Sequence, residues 1–233
     1  MLFRPLVLGL IILCPEYAAA QQLLPDAYVH CREAESPEAG IAACTEALKS
    51  PDLLQAERAR TLLNLATYDR LTGAYPAALD ALAKASAIAP NAPAIPAERA
   101  IVLHVTGNLA GAKAAHAQAF ALGPGSPAMF NNRGITILAL GDTAAAIADF
   151  DASLSMMSDN GAVLANRATA KCRAGDADGA VADLAAAIGH DESRAAALEA
   201  AMAGAGFEGA ASADALAKWT AAGCPGAPDP EFL

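Results

Sequence analysis

The side chains most capable of chemistry in this chain are its five cysteines and four histidines. The histidines, at positions 30, 104, 116 and 190, lack the three- or four-residue spacing that places two metal ligands on one helix face. The chain also has no nucleophile elbow, phosphate-binding glycine loop or paired-carboxylate motif. We therefore expect no enzyme activity, no metal site and no cofactor.

The cysteines favour a structural role. None of them forms a CxxC motif, so thiol–disulfide exchange has no recognisable centre. Cys31 and Cys44 stand close together in the sequence, and in an oxidising compartment a disulfide between them is the favoured interpretation, with two buried thiols as the alternative. Cys172 and Cys224 are a possible second pair, although four cysteines allow three connectivities.

The N-terminal residues are typical of a secretory signal peptide. Arg4 precedes an apolar run over residues 6–13 and a small-residue ending, which predicts cleavage after Ala20. Cys14 leaves lipidation as an alternative, although Leu13 stands where lipoprotein signals carry a small residue. No later stretch is uniformly apolar over the roughly 18 residues of a transmembrane helix. We expect a periplasmic or secreted protein that does not span the membrane.

Charge and composition narrow the classes of partner and fold. The formal net charge is −10, from 25 acidic and 15 basic residues, and no run of Lys or Arg could neutralise successive phosphates. Nucleic acid is therefore not an expected partner. Aromatic residues make up only 5% of the chain and alanine dominates the apolar fraction, which favours close-packed helices over sheets.

The elements that must position these side chains follow a repeat. Four glycines recur at one fixed interval, and three rows of small residues keep the same interval before and after them. Small residues on two successive helices let their backbones approach closely, and a glycine between the helices can adopt a positive φ. The pattern predicts one helical hairpin repeated four times. The glycines are Gly73, Gly107, Gly141 and Gly175, and the rows begin at Ala66, Ala78 and Ala85.

This pattern resembles the tetratricopeptide-repeat (TPR) family, whose units have a period of about 34 residues. The fullest match is residues 130–134 (FNNRG), followed by Gly141-Asp142 and by residues 146–150 (AIADF). The resemblance implies an all-α fold, a right-handed superhelical solenoid of about five helix-turn-helix units with C-terminal capping helices. The units are predicted at 59–92, 93–126, 127–160 and 161–194, preceded by an atypical unit at 21–58 and followed by capping helices and a tail at 195–233.

The unit at 93–126 departs most from the family pattern. Pro96, Arg99 and His116 stand where apolar residues are expected. Because proline interrupts a helix interior, we expect the first helix of this unit to start late.

In the TPR family the first helix of each hairpin lines a concave groove that holds a protein or peptide partner. Side-chain amides in such a groove can pair with the backbone of an extended peptide, whereas the alternative is that they hydrogen-bond within the array. The pattern departs from the family's carboxylate clamp, which needs Lys and Arg at set positions in neighbouring units, so the resemblance does not imply recognition of an acidic C-terminus by that route. The resemblance maps the groove to Asn64, Thr67, Arg70, Ile101, His104, Asn131, Asn132, Ile135, Asn166, Thr169 and Arg173.

Two functions are therefore predicted as alternatives. The first is a periplasmic adaptor that binds a protein or peptide in the concave groove. The second is a cell-wall-associated protein that contacts peptidoglycan through its C-terminal helices, because residues 206–209 (GFEG), with Trp219 after them, resemble the end of a small peptidoglycan-binding domain.

Overall fold

The computed structural model describes residues 26–190 together with Lys218 and Ala222. Within 26–190 the chain forms ten α-helices and no strand, so the predicted all-α class is confirmed for this part of the chain. The helices pair in chain order as five hairpins, and we call the odd-numbered helix of each hairpin its A helix and the even-numbered one its B helix. They are α1 (Asp26–Arg32), α2 (Pro37–Ala47), α3 (Gln55–Leu71), α4 (Tyr75–Ile88), α5 (Ala94–Val105), α6 (Leu109–Leu122), α7 (Pro127–Ala139), α8 (Thr143–Met156), α9 (Gly161–Arg173) and α10 (Ala177–His190).

The repeated glycines end the A helices of the last four hairpins. Their φ angles lie between 79° and 89°, so the predicted positive φ is confirmed at all four positions. At Gly141 the amide donates to the Leu138 carbonyl at 3.0 Å, and the next amide, of Asp142, donates to the Ile137 carbonyl at 3.2 Å. This pair of bonds is the Schellman motif, which satisfies carbonyls at the helix end and reverses the chain.

The rows of small residues form the contact between the helices of each hairpin. Every member of the three rows is buried, as predicted. In each of the last four hairpins, one large side chain lies in the middle of the B helix and fills the remaining space. These side chains are Leu82, His116, Phe150 and Leu184, which occupy the same position of successive repeats, and all are buried.

The third hairpin corrects one expectation. Helix α5 begins at Ala94, so it does not start late. Pro96 is its third residue, and the first N–H groups of a helix have no intrahelical acceptor, so the missing donor costs nothing there.

A disulfide joins α1 to α2 in the first hairpin. The Sγ atoms of Cys31 and Cys44 are 2.09 Å apart, and both residues are fully buried. The Tyr68 hydroxyl on α3 donates to the Cys31 carbonyl at 3.0 Å, which ties this hairpin to the second one. Cys172 is disulfide-bonded as well, and its partner lies outside the described residues. Cys224, the predicted partner, also lies outside them.

The predicted signal peptide at 1–20 and the predicted capping helices and tail at 195–233 fall almost wholly outside the described residues. They therefore stay predictions. Within the part that the structure describes, no helix has both the length and the apolar character needed to cross a bilayer.

Candidate binding surface on the A helices

The A helices line the inner side of the array. Each A helix from α3 to α9 contacts the A helix before it, whereas successive B helices contact one another less. The array is therefore narrower on the A side, and the predicted groove residues lie there. We call this surface the inner face, and we include in it Ala97 and Glu98, which occupy the repeat positions of Asn131 and Asn132.

The N-terminal half of the inner face carries an ion pair. Arg70 Nε on α3 donates to Glu98 Oε1 on α5 at 2.6 Å, and the two side chains are 18% and 11% exposed. Glu98 was missed in the sequence, although it stands one repeat after Asn64 and one repeat before Asn132. The repeat interval alone would have identified it.

The C-terminal half carries a chain of amides. Asn166 Nδ2 on α9 donates to Asn131 Oδ1 on α7 at 2.9 Å, and Asn131 Nδ2 donates to Asn132 Oδ1 at 3.1 Å. All three side chains are buried. These bonds support the alternative that the asparagines hold neighbouring hairpins together.

Other predicted groove residues are more accessible. Asn64, Thr67, Arg70 and His104 are half-buried and Arg173 is exposed, whereas a second set of predicted residues is buried. Accessible polar side chains therefore lie mainly on α3 and α5 and at the end of α9. The buried residues other than the asparagines are Ile101, Ile135 and Thr169.

In the last two hairpins, a second set of ion pairs joins the A helix to its own B helix. Arg133 makes two bonds to Asp149, at 2.8 and 2.6 Å, and Arg167 makes two to Asp183, at 2.7 and 2.6 Å. The hydrogen bonds that Arg167 donates to Asp183 are the main cause that raises the pKa of Arg167 above its ordinary value. These pairs were also missed, although both partners recur at the repeat interval. Bidentate geometry fixes the B helix against the A helix.

The two kinds of helix differ in charge. The five A helices contain nine basic and four acidic residues, whereas the five B helices contain two basic and seven acidic residues. The described part of the chain gathers no group of three side chains able to hold a metal ion. The inner face can therefore offer hydrogen bonds and positive charge to a ligand.

Solved structures with the same architecture are TPR proteins. YrrB, described as a TPR protein with an unusual peptide-binding site, has a TM-score of 0.56 and 17% identity, over 78% of this chain and 91% of that chain. TTC0263 of Thermus thermophilus has a TM-score of 0.59 and 20% identity, over 72% and 89%. MamA has a TM-score of 0.56 and 18% identity, over 72% and 96%. The chain therefore has the TPR fold.

No protein-family model matches the sequence, and no curated protein matches it.

Proposed function

We propose that this TPR-fold solenoid is a periplasmic adaptor that holds an extended segment of a protein partner along its inner face. The observation that carries the proposal is the position of polar side chains from successive A helices along one narrow side of the array. An extended peptide needs backbone partners at regular intervals, and a repeat supplies them. YrrB, which shares the fold, is described as having a peptide-binding site.

The excess of basic residues on the A helices indicates what charge a partner segment would carry. Much of the positive charge is neutralised by carboxylates of the B helices, but Arg60 and Arg173 have no carboxylate within ion-pair distance among the described residues. Both are exposed, and they lie on α3 and α9, the A helices of the second and fifth hairpins. We propose a partner segment with net negative charge, since complementary charge would speed its association with this face.

The proposed compartment rests on the cysteines and the N-terminal pattern together. A buried disulfide between Cys31 and Cys44 persists in oxidising compartments, and the pattern over positions 1–20 predicts export. Contact with peptidoglycan rests on residues 204–233, which fall almost wholly outside the described residues.

A steric block tests the proposed groove without removing an internal hydrogen bond. Ala97 is half-buried on the inner face, and a tryptophan there would occupy the space of a bound segment. We expect Ala97→Trp to lower recovery of partner protein from periplasmic extract by about tenfold, which corresponds to roughly 1.4 kcal/mol of binding free energy. Quantitative mass spectrometry of the captured proteins measures this ratio.

The matched control is the same substitution on the other side of the array. Ala83 is exposed on α4, a B helix, so Ala83→Trp should leave recovery unchanged. Thermal unfolding midpoints close to that of the unaltered protein would show that both variants are folded. Equal recovery with Ala97→Trp and Ala83→Trp would rule out the inner face as the binding surface.

A further inference from the structure

We propose that the junction between the third and fourth hairpins is an acid-sensitive hinge, with His116 as the group that responds to pH. This property belongs to the chain alone and does not depend on the identity of a partner.

His116 occupies a position where the second, fourth and fifth hairpins have a large apolar residue. Its counterparts are Leu82, Phe150 and Leu184, and His116 is only 1% exposed. An apolar side chain would fill this space without a polar group to satisfy. The third hairpin therefore has an ionisable ring in its core at a place where the repeat does not require one.

The Thr136 hydroxyl joins this ring to the next hairpin, and a hydrogen bond with the Asn132 backbone of the same helix partly favours the protonated ring. His116 Nε2 on α6 lies 3.1 Å from Thr136 Oγ1 on α7, and His104 Nδ1 on α5 lies 3.1 Å from the same oxygen. Thr136 Oγ1 also donates to the Asn132 carbonyl at 3.3 Å. Nδ1 of His116 is buried and has no hydrogen-bond partner. A proton added at Nδ1 would therefore find neither water nor an acceptor.

The charges around His116 oppose its protonation. Arg133 on α7 is held in place by its two bonds to Asp149 of α8, and its guanidinium carbon lies 3.8 Å above the centre of the Phe120 ring. His104 on α5 contacts the same hydroxyl as His116. Burial first, and then the charges of Arg133 and His104, lower the pKa of His116 to about 4.

The remaining charged groups of these elements are engaged elsewhere or exposed. On α5, Glu98 pairs with Arg70, and Arg99 donates to Gln118. On α6 itself, Lys113 is exposed. Among the described residues of these helices, no carboxylate offsets a charge on His116.

The junction itself is suited to opening. Contacts between α6 and α7 are sparser than those at the junctions on either side. When the junction opens, water reaches His116 and restores its ordinary pKa of about 6.5, so the open state binds the proton more tightly. With pKa values of about 4 and about 6.5, linkage predicts an opening equilibrium about 20-fold larger at pH 5 than at pH 7.

Hydrogen exchange of the full chain at pH 7 and pH 5 tests the proposal, once rates are corrected for the intrinsic effect of pH on exchange. We expect amides of α6 and α7 to lose about 20-fold of their protection at pH 5, whereas those of α3 and α4 keep theirs. If the ratio of protection at pH 7 to protection at pH 5 were the same in α6 and α7 as in α3 and α4, the proposed hinge would be overturned.

Three variants identify the sensor. His116→Leu gives the third hairpin the residue of its neighbours, and His116→Gln keeps a hydrogen-bonding group without a titrating one. Both variants should abolish the pH dependence of protection in α6 and α7. Because the two replacements pack differently and neither titrates, the same result with both would assign the effect to the charge on His116. His104→Gln should retain the pH dependence. Persistence of the pH-dependent loss in both His116 variants would show that another group is responsible.

Discussion

Replacing Phe150 by alanine is expected to lower the free energy of unfolding by about 3–5 kcal/mol. The ring is fully buried between α7 and α8, in a core cluster that includes Ile135 and Leu138 of the inner-face helix. Deleting it leaves a cavity at the centre of the array, where each hairpin is stabilised by both neighbours. Denaturant unfolding followed by circular dichroism measures the loss.

The same site predicts a coupling between two positions. A Cβ added to Gly134 would lie 2.8 Å from Phe150 Cε1, so the glycine makes room for the ring. Two other hairpins have alanine and leucine at these two positions, as in Ala66 and Leu82. Gly134→Ala should cost about 1–3 kcal/mol, and the double variant with Phe150→Leu should cost less than the sum of the two single changes. Additive losses would contradict the proposed fit.

Removing the first disulfide is expected to destabilise the N-terminal hairpin by about 3 kcal/mol. Helix α1 is a single short helix, Asp26–Arg32, too short to be stable alone, and among the described hairpins its own has a neighbour on only one side. The double variant Cys31→Ala, Cys44→Ala removes the bond without leaving a free thiol. Hydrogen exchange should show faster opening of α1 and α2.

The distant hairpins provide the internal control for this change. Amides of α7 and α8 should keep their protection, because each repeat contacts only its neighbours. A loss of protection that spread evenly over the described helices would show that the bond stabilises the whole array and not the first hairpin.

Turns and buried positions could be predicted from the sequence wherever a residue type recurs for a single physical reason. Gly73 and its three counterparts could be assigned to turns because a positive φ excludes most side chains. The buried rows that begin at Ala66 and Ala78 could be assigned because close helix packing requires small residues.

Side-chain partnerships were harder to predict, because a hydrogen bond depends on the distance between helices. Asn64, Asn132 and Asn166 occupy one repeat position, yet Asn166 donates to Asn131, which is adjacent to that position. The recurring Arg133 and Arg167 were visible in the sequence, but their pairing with Asp149 and Asp183 required the packing of A on B. His116 could be recognised as an exception, but not its bond to Thr136.

Photo-crosslinking in the periplasm tests the central claim most directly. A photoreactive amino acid would be placed at Asn64 and Ala97 on the inner face, and at Ala83 and Ala117 on the exposed side of B helices. Binding of an extended segment predicts adducts from the two inner positions only, and these should map to neighbouring parts of one continuous segment of the same partner. Adducts from the outer positions, or inner adducts scattered over several surfaces of the partner, would contradict it.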